Sequence, residues 1–131
     1  MYKFTKEERL CNKRLLEKLF HNGSSFLVYP FRIVSLPESL KADFPAQVVI
    51  AVSKRKFKRA VDRNLIKRRI REVYRLNKEE LLYSFLSERK LSLMISIHYI
   101  GKEIAGYPFI EKKLKLALQK LVSSYGEVQA G

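Results

Sequence analysis

A single α+β domain built on a mixed central sheet is what this sequence predicts, and three observations lead there. The chain has 131 residues, the size of one ordinary domain. Hydrophobic residues make up 47% of it, enough for a packed core at this length. Segments with helical apolar spacing alternate with short strand-like runs, and no internal repeat or low-complexity linker divides them.

The first element spans Thr5 to Asn22 and is helical at least in its second half. Thr5 and Glu8 have capping-box spacing, and Asn12 offers a second N-cap. Leu15, Leu16, Leu19 and Phe20 supply the apolar stripe, and Asn22-Gly23 is a stop in which glycine suits the left-handed conformation. Ser24 to Leu36 is β-rich, with Pro30 marking an edge or a break because it has no amide to donate. A loop is expected from Pro37 to Pro45, then a buried-type strand from Ala46 to Ser53.

From about Arg59 to Leu76 the chain lacks Gly and Pro and reads as helix. At 3.6 residues per turn, Ile66, Ile70, Val73 and Tyr74 fall within an arc of about 100°. Asn64, Lys67, Arg68, Arg71 and Arg75 fill a neighbouring arc, so one stripe can pack while the other faces out. Asn77 to Lys90 is either a helix extension or an ordered connection. Leu91 to Ile100 alternates with period two, which predicts a strand with one wet or lightly covered face. Gly101 and Gly106 bracket a turn, and Pro108 suits the first turn of a last helix. Ile110, Leu114, Ala117, Leu118 and Leu121 form its apolar stripe, and 123–131 is expected to be a flexible tail.

Charge narrows the function. Lys and Arg number 27 against 13 Asp and Glu, a net charge of +14. Eleven of those cations lie between Ser53 and Arg75, opposed only by Asp62 and Glu72, which puts +9 into 23 residues. A solubilising surface mixes both signs; one sign concentrated in one element is the footprint of a phosphate-binding face. The composition excludes an acidic calcium binder, and a single cysteine, Cys11, argues against a disulfide scaffold. Cys11 itself is expected to be a buried or semi-exposed structural thiol. No run of about 18 apolar residues predicts a membrane span. The N-terminus has no apolar h-region, so a cytoplasmic location is expected, with no membrane and no obligate protein partner.

The chain offers little chemistry of its own. Clustered carboxylates would be needed to hold Mg²⁺, but the only aspartates are Asp43 and Asp62. No metal-ligand spacing and no Walker loop occurs. His21 and His98 could act as a general acid and base in a metal-independent nuclease, although each has an ordinary structural explanation. No catalytic residue and no metal ligand is therefore assigned.

The stretch Ala60-Val61-Asp62-Arg63-Asn64-Leu65-Ile66-Lys67-Arg68-Arg69-Ile70-Arg71-Glu72 resembles the protein subunit of bacterial ribonuclease P. That family carries Arg-Asn-x-x-Lys-Arg followed by Ile-Arg-Glu, after a strand ending Val-Ser-Lys. Here the strand reads Ile50-Ala51-Val52-Ser53-Lys54, and Phe20-His21-Asn22-Gly23 is similar to the family's helix-end Phe-x-x-Gly. Departures are Leu65, where a second Arg is frequent, and Leu16 and Val34, where aromatics occur.

The resemblance implies an α-β-β-β-α-β-α topology with a left-handed crossover helix, as in a ribosomal-protein-like fold. It implies a subunit of an endoribonuclease that removes the 5′ leader of precursor tRNA, with ribonuclease P RNA as the catalyst. Mg²⁺ would be bound mainly by the RNA partner and the substrate. Arg63, Asn64, Lys67, Arg68 and Arg71 would face RNA, joined on charge grounds by Lys54, Arg55, Lys56, Lys58, Arg59 and Arg75. Phe20 and Phe31 would belong near the cleft that takes the single-stranded leader, with core packing as the competing role for both. Arg9, Lys13 and Arg14 read as ordinary surface charge. Two other functions compete: a ribosomal or other structural RNA-binding protein without a nuclease role, and the autonomous His21/His98 ribonuclease.

Overall fold

The computed structural model describes residues 4–40 and 44–130; Asp43, in the expected loop, lies outside them. A 3₁₀ turn at Lys6–Glu8 precedes helix α1 (Lys13–Asn22), strands β1 (Ser24–Val28), β2 (Phe31–Pro37) and β3 (Ala46–Val52), and helix α2 (Ala60–Lys78). A π-helical segment, Glu79–Tyr83, joins α2 to α3 (Ser84–Glu88), so the expected extension is helix throughout. Strand β4 (Leu93–Tyr99) and helix α4 (Tyr107–Ala130) complete the chain. Helix α4 runs past Ser123, where the sequence predicts a flexible tail, and the Tyr125 hydroxyl hydrogen-bonds Ser35 Oγ at 3.0 Å.

The sheet order is β1-β2-β4-β3. Strands β1, β2 and β4 pair antiparallel, while β3 pairs parallel to β4, which makes the sheet mixed. The parallel pair requires the chain between β3 and β4 to cross over, and α2 with α3 is that crossover.

Alternation sorts the strands between two layers. Phe31 and Ile33 of β2, with Ile95, Ile97 and Tyr99 of β4, face α2 and α4. There they meet Ile66, Ile70, Val73 and Tyr74 of α2 and the expected stripe of α4, all buried. The opposite face is smaller: Val34 and Met94 pack with Leu10 and Leu19, flanked by Leu15 and Leu16 of α1. Both faces of β4 are therefore covered. The expected wet face holds Met94, packed with Leu19 of α1, and Ser96, both buried, and within the strand only His98 is half-exposed.

The two ends of α1 are fixed by side-chain chemistry and by space. Asn12 caps its start, the Oδ1 accepting from the Leu15 amide at 3.1 Å. Gly23 ends the helix with φ −74°, not in the left-handed region. Glycine is needed there for space: a Cβ would lie 2.5 Å from the Leu19 carbonyl oxygen and 2.8 Å from Val34 Cγ1. No helix among the described residues is long and apolar enough to cross a membrane.

Candidate nucleic-acid interface

Helix α2 divides as its periodicity requires. Ile66, Ile70, Val73 and Tyr74 are sequestered, while Asn64, Arg68 and Arg71 are exposed and Lys67 and Arg75 half-exposed. Exposure lets these cations keep their hydration until a phosphate replaces it. The turn before the helix continues the surface. Ser53 Oγ accepts the Arg55 and Lys56 amides at 3.2 and 3.4 Å, a local turn that leaves Lys54, Arg55 and Lys56 projecting outward. Lys58 and Arg59 are exposed as well, while Phe57 before them is buried against Tyr99.

Not every cation of the signature is equally available. Arg63 is half-buried, and its Nη1 donates to the carbonyls of Phe57 and Lys58 at 2.8 and 2.9 Å. It fixes the path of the basic turn, and this is a positioning role. Arg75 grips Glu72 through two hydrogen bonds of 2.6 and 3.1 Å, which hold the Glu72 carboxyl below its usual range. Arg69 donates to the Ala105 carbonyl at 2.6 Å and ties α2 to the loop before α4.

Arg9 reads in the sequence as ordinary surface charge, yet it lines a shallow hollow together with Lys67 and Arg71. The N-terminal arm holds it there. The Leu10 amide donates to Val48 at 2.9 Å, and Arg9 makes a parallel bridge to the same strand. Deeper in, Glu8 and Lys78 form an ion pair that is almost wholly shielded from solvent. The Lys78 ammonium also lies 5.3–5.9 Å from the ring centres of Phe4, Phe44 and Tyr83. The Tyr83 hydroxyl adds a 2.5 Å bond to Glu8. Burial alone would raise the Glu8 carboxyl; the hydrogen bonds from Lys78, the Thr5 amide and Tyr83 outweigh it and hold the group below its ordinary value. Thr5 and Glu8 signal this cap in the sequence, but nothing in the stretch from Asn77 to Lys90 singles out Lys78. Cys11 is exposed beside Arg9, contrary to the expectation of a buried or semi-exposed thiol.

A second surface opens on the α1 face of the sheet. Phe20, at the end of α1, is 58% exposed and walls a groove of about 300 Å³. Its floor is Ser25 of β1, Arg32 and Val34 of β2, and Ser96 and His98 of β4. Phe31 is not part of it. One residue along β2 means the opposite face, and Phe31 is fully buried in the main core, 5.9 Å from the Tyr99 ring. Its placement near the cleft is thus corrected to core packing.

The groove floor carries its own polar chemistry. Arg32 and His98 are register partners, and Ser96 Oγ is buried without a hydrogen-bond partner. Burial, then the charges of Arg32 and Lys56, push the His98 imidazole below its usual range. It is thus held neutral near pH 7, next to two cations. His21 is exposed on the last turn of α1 and does not line the groove, so the two histidines do not share this site. Sequence reasoning misses Arg32; its signal is a lone cation inside an otherwise apolar strand. Among the described residues no three His, Cys, Asp or Glu side chains come together as a metal site.

The chain as a whole is similar to known proteins in sequence and in fold. The family model described as Ribonuclease P matches residues 4–121. A ribonuclease P protein component from Porphyromonas gingivalis is 32% identical over 120 residues, covering 92% of this chain and 87% of its own. One from Petrotoga mobilis is 43% identical over 75 residues, covering 57% and 60%. Among solved structures, the RNase P protein of Staphylococcus aureus superposes with a TM-score of 0.70 at 22% identity, covering 87% of this chain and 94% of its own. That of Thermotoga maritima gives 0.68 at 22% identity, with 86% and 96% covered.

Proposed function

The chain belongs to the ribonuclease P protein family, and we propose that it acts as the protein subunit that binds the catalytic RNA and the 5′ leader of precursor tRNA. In this reading α2 and the turn before it bind the RNA subunit, and the groove beside α1 takes the leader. The observation that carries it is a pair of cationic surfaces that meet at Lys56. Exposed Lys54, Arg55, Arg68 and Arg71 lie on the basic turn and the crossover helix, Phe20, Arg32 and His98 lie around a narrow groove on the α1 face, and Lys56 is close enough to act on His98. Membership of the family implies a role in tRNA processing.

Each surface suits its partner physically. Guanidinium groups grip phosphate bidentately, and Lys67 acts as a point charge. Exposed cations along one helix face can track a folded RNA backbone without reading bases. In the groove, the Phe20 ring can stack on any base, which suits leaders of varied sequence. Arg32 neutralises a passing phosphate. A phosphate placed there also favours protonation of His98, so the groove becomes more cationic once filled.

Among the described residues no cluster of three or more ligating side chains offers a protein-held metal site. Mg²⁺ in this proposal is a ligand of the RNA partner and substrate, where its positive charge acts on the scissile phosphate. The chain's part is to neutralise charge and hold the leader.

The test is a leader-length series. Holoenzyme reconstituted with a bacterial ribonuclease P RNA is offered precursor tRNAs whose leaders run from one to eight nucleotides. Affinity that rises with leader length only when the protein is present supports the assignment. Equal affinity along the series, with and without protein, rejects the groove as a leader site.

A further inference from the structure

Outside these two surfaces lies an open cavity of about 580 Å³ before α4. That volume is in the range of small-ligand sites. Tyr29, Ile104 and Phe109 wall it, and each is a large apolar side chain left 40–58% exposed. Three such residues around one concavity form a binding surface more often than an accident of packing.

The cavity is built and braced. Tyr99 donates its hydroxyl proton to the Glu103 carbonyl at 2.5 Å and accepts from the Ala105 amide at 3.2 Å. Arg69 of α2 holds the Ala105 carbonyl from the other side. Gly101 leaves room for the tyrosine, since a Cβ there would lie 2.8 Å from its hydroxyl oxygen.

Its surroundings are cationic. Lys102 lines it, and the Lys113 ammonium sits 5.7 Å over the Phe109 ring. Lys56, from the basic turn, donates to the Ile100 carbonyl at 2.7 Å, which fastens that turn to the cavity's loop. Glu103 is the one acidic residue of the lining, and its backbone carbonyl is taken by Tyr99.

The cavity and the groove draw on nearby stretches of chain: Pro30 and Tyr99 line one, Arg32 and His98 the other. The Ile100 amide donates to the Pro30 carbonyl at 2.7 Å, so the β1–β2 turn meets the cavity loop. Arg32 and His98 of the groove floor are one residue from Phe31 and Tyr99, which end the same two strands. A strand leaving the groove past Arg32 would reach Tyr29 by turning around this end of the sheet.

We propose that this cavity is a second single-strand site, which stacks an unpaired nucleobase of RNA against Tyr29 and Phe109 while Lys102 and Lys113 meet its flanking phosphates. The proposal rests on the reading of the groove as a single-strand site and extends its path around the end of the sheet. Aromatic faces flanked by cations fit a base with its phosphate; an apolar protein partner would not match the lysines.

The test uses the full chain and an unstructured 12-nucleotide RNA, with affinity measured at several salt concentrations. Phe109→Ala and Tyr29→Ala should each weaken binding about five- to tenfold with the salt slope unchanged, because stacking is lost and no phosphate contact is. Lys102→Ala should flatten the slope by about 0.7. Phe109→Tyr should retain wild-type affinity, and thermal melting of each variant checks that the fold survives. Wild-type affinity in both alanine variants, alongside weaker binding by Phe20→Ala, would overturn the proposal and confine RNA to the groove. So would self-association of the wild type that Phe109→Ala abolishes without changing RNA affinity, since the cavity would then hold a second copy. The assay contains neither catalytic RNA nor tRNA, so its failure is distinguishable from failure of the leader-length series.

Discussion

Arg63 and Lys67 lie one turn apart in the same signature, yet their side chains act on different things. The Arg63 guanidinium holds two carbonyls of the basic turn, so Arg63→Ala should lower stability by about 1 kcal/mol, the range of a partly solvated charged hydrogen bond. Its effect on RNA affinity should be indirect, through a loosened turn. Lys67→Ala should leave the melting temperature unchanged and flatten the salt slope of RNA binding by about 0.7–0.9. Equal melting temperatures for the two variants would refute the distinction. The buried pair is the other residue-scale feature of consequence. Lys78→Met leaves the Glu8 carboxylate shielded and unpaired, which should cost about 3–5 kcal/mol. The double variant Glu8→Gln/Lys78→Met should recover much of that in urea unfolding. The Glu8 carboxyl is depressed in the folded state, so its contribution is complete above the unfolded carboxylate range and lost as pH falls through the folded value. The double variant should accordingly lose less stability between pH 7 and pH 3 than the wild type. The contrast between Phe20 and Phe31 shows what residue type alone leaves open. Both are aromatics near one cleft in the family resemblance, and only strand alternation, counted from a known register, sends Phe31 to the core.

At the scale of elements, the groove depends on how closely α1 approaches the sheet. Gly23 sets that distance, because a methyl group there meets backbone on one side and Val34 on the other. Gly23→Ala should destabilise the fold by about 1–3 kcal/mol through forced displacement. It should also reduce leader-dependent affinity, and unaltered melting would show that α1 can shift freely. Periodicity makes α2 and α4 legible, down to the buried stripes Ile66-Ile70-Val73-Tyr74 and Ile110-Leu114-Ala117-Leu118-Leu121. It cannot say that β4 is central. Period two separates two faces, but whether the second is wet depends on Leu19 of α1 packing with Met94, a contact far away in sequence. The crossover from α2 through the π segment to α3 is similarly open in the sequence, because a polar stretch with one apolar patch suits either helix or ordered connection.

Across the whole molecule, two cationic surfaces, the basic turn with its helix and the groove beside α1, come together at Lys56. The net charge of +14 makes both depend on salt, so salt alone cannot tell them apart. Their partners can. The basic turn and signature helix are legible as a cationic face because their charge is contiguous in sequence. The groove is not, because Phe20, Arg32, Ser96 and His98 come from three elements and meet only in the fold. Arg9 escapes for the same reason, being carried to Lys67 and Arg71 by the pairing of the N-terminal arm with β3. The most direct measurement of the central claim is cleavage of a precursor tRNA at low Mg²⁺, with ribonuclease P RNA and this protein supplied separately and together. Cleavage at the mature 5′ end is expected only when both are present. Cleavage by the protein alone would contradict the claim, and so would binding without stimulation of an RNA that is active by itself at high Mg²⁺.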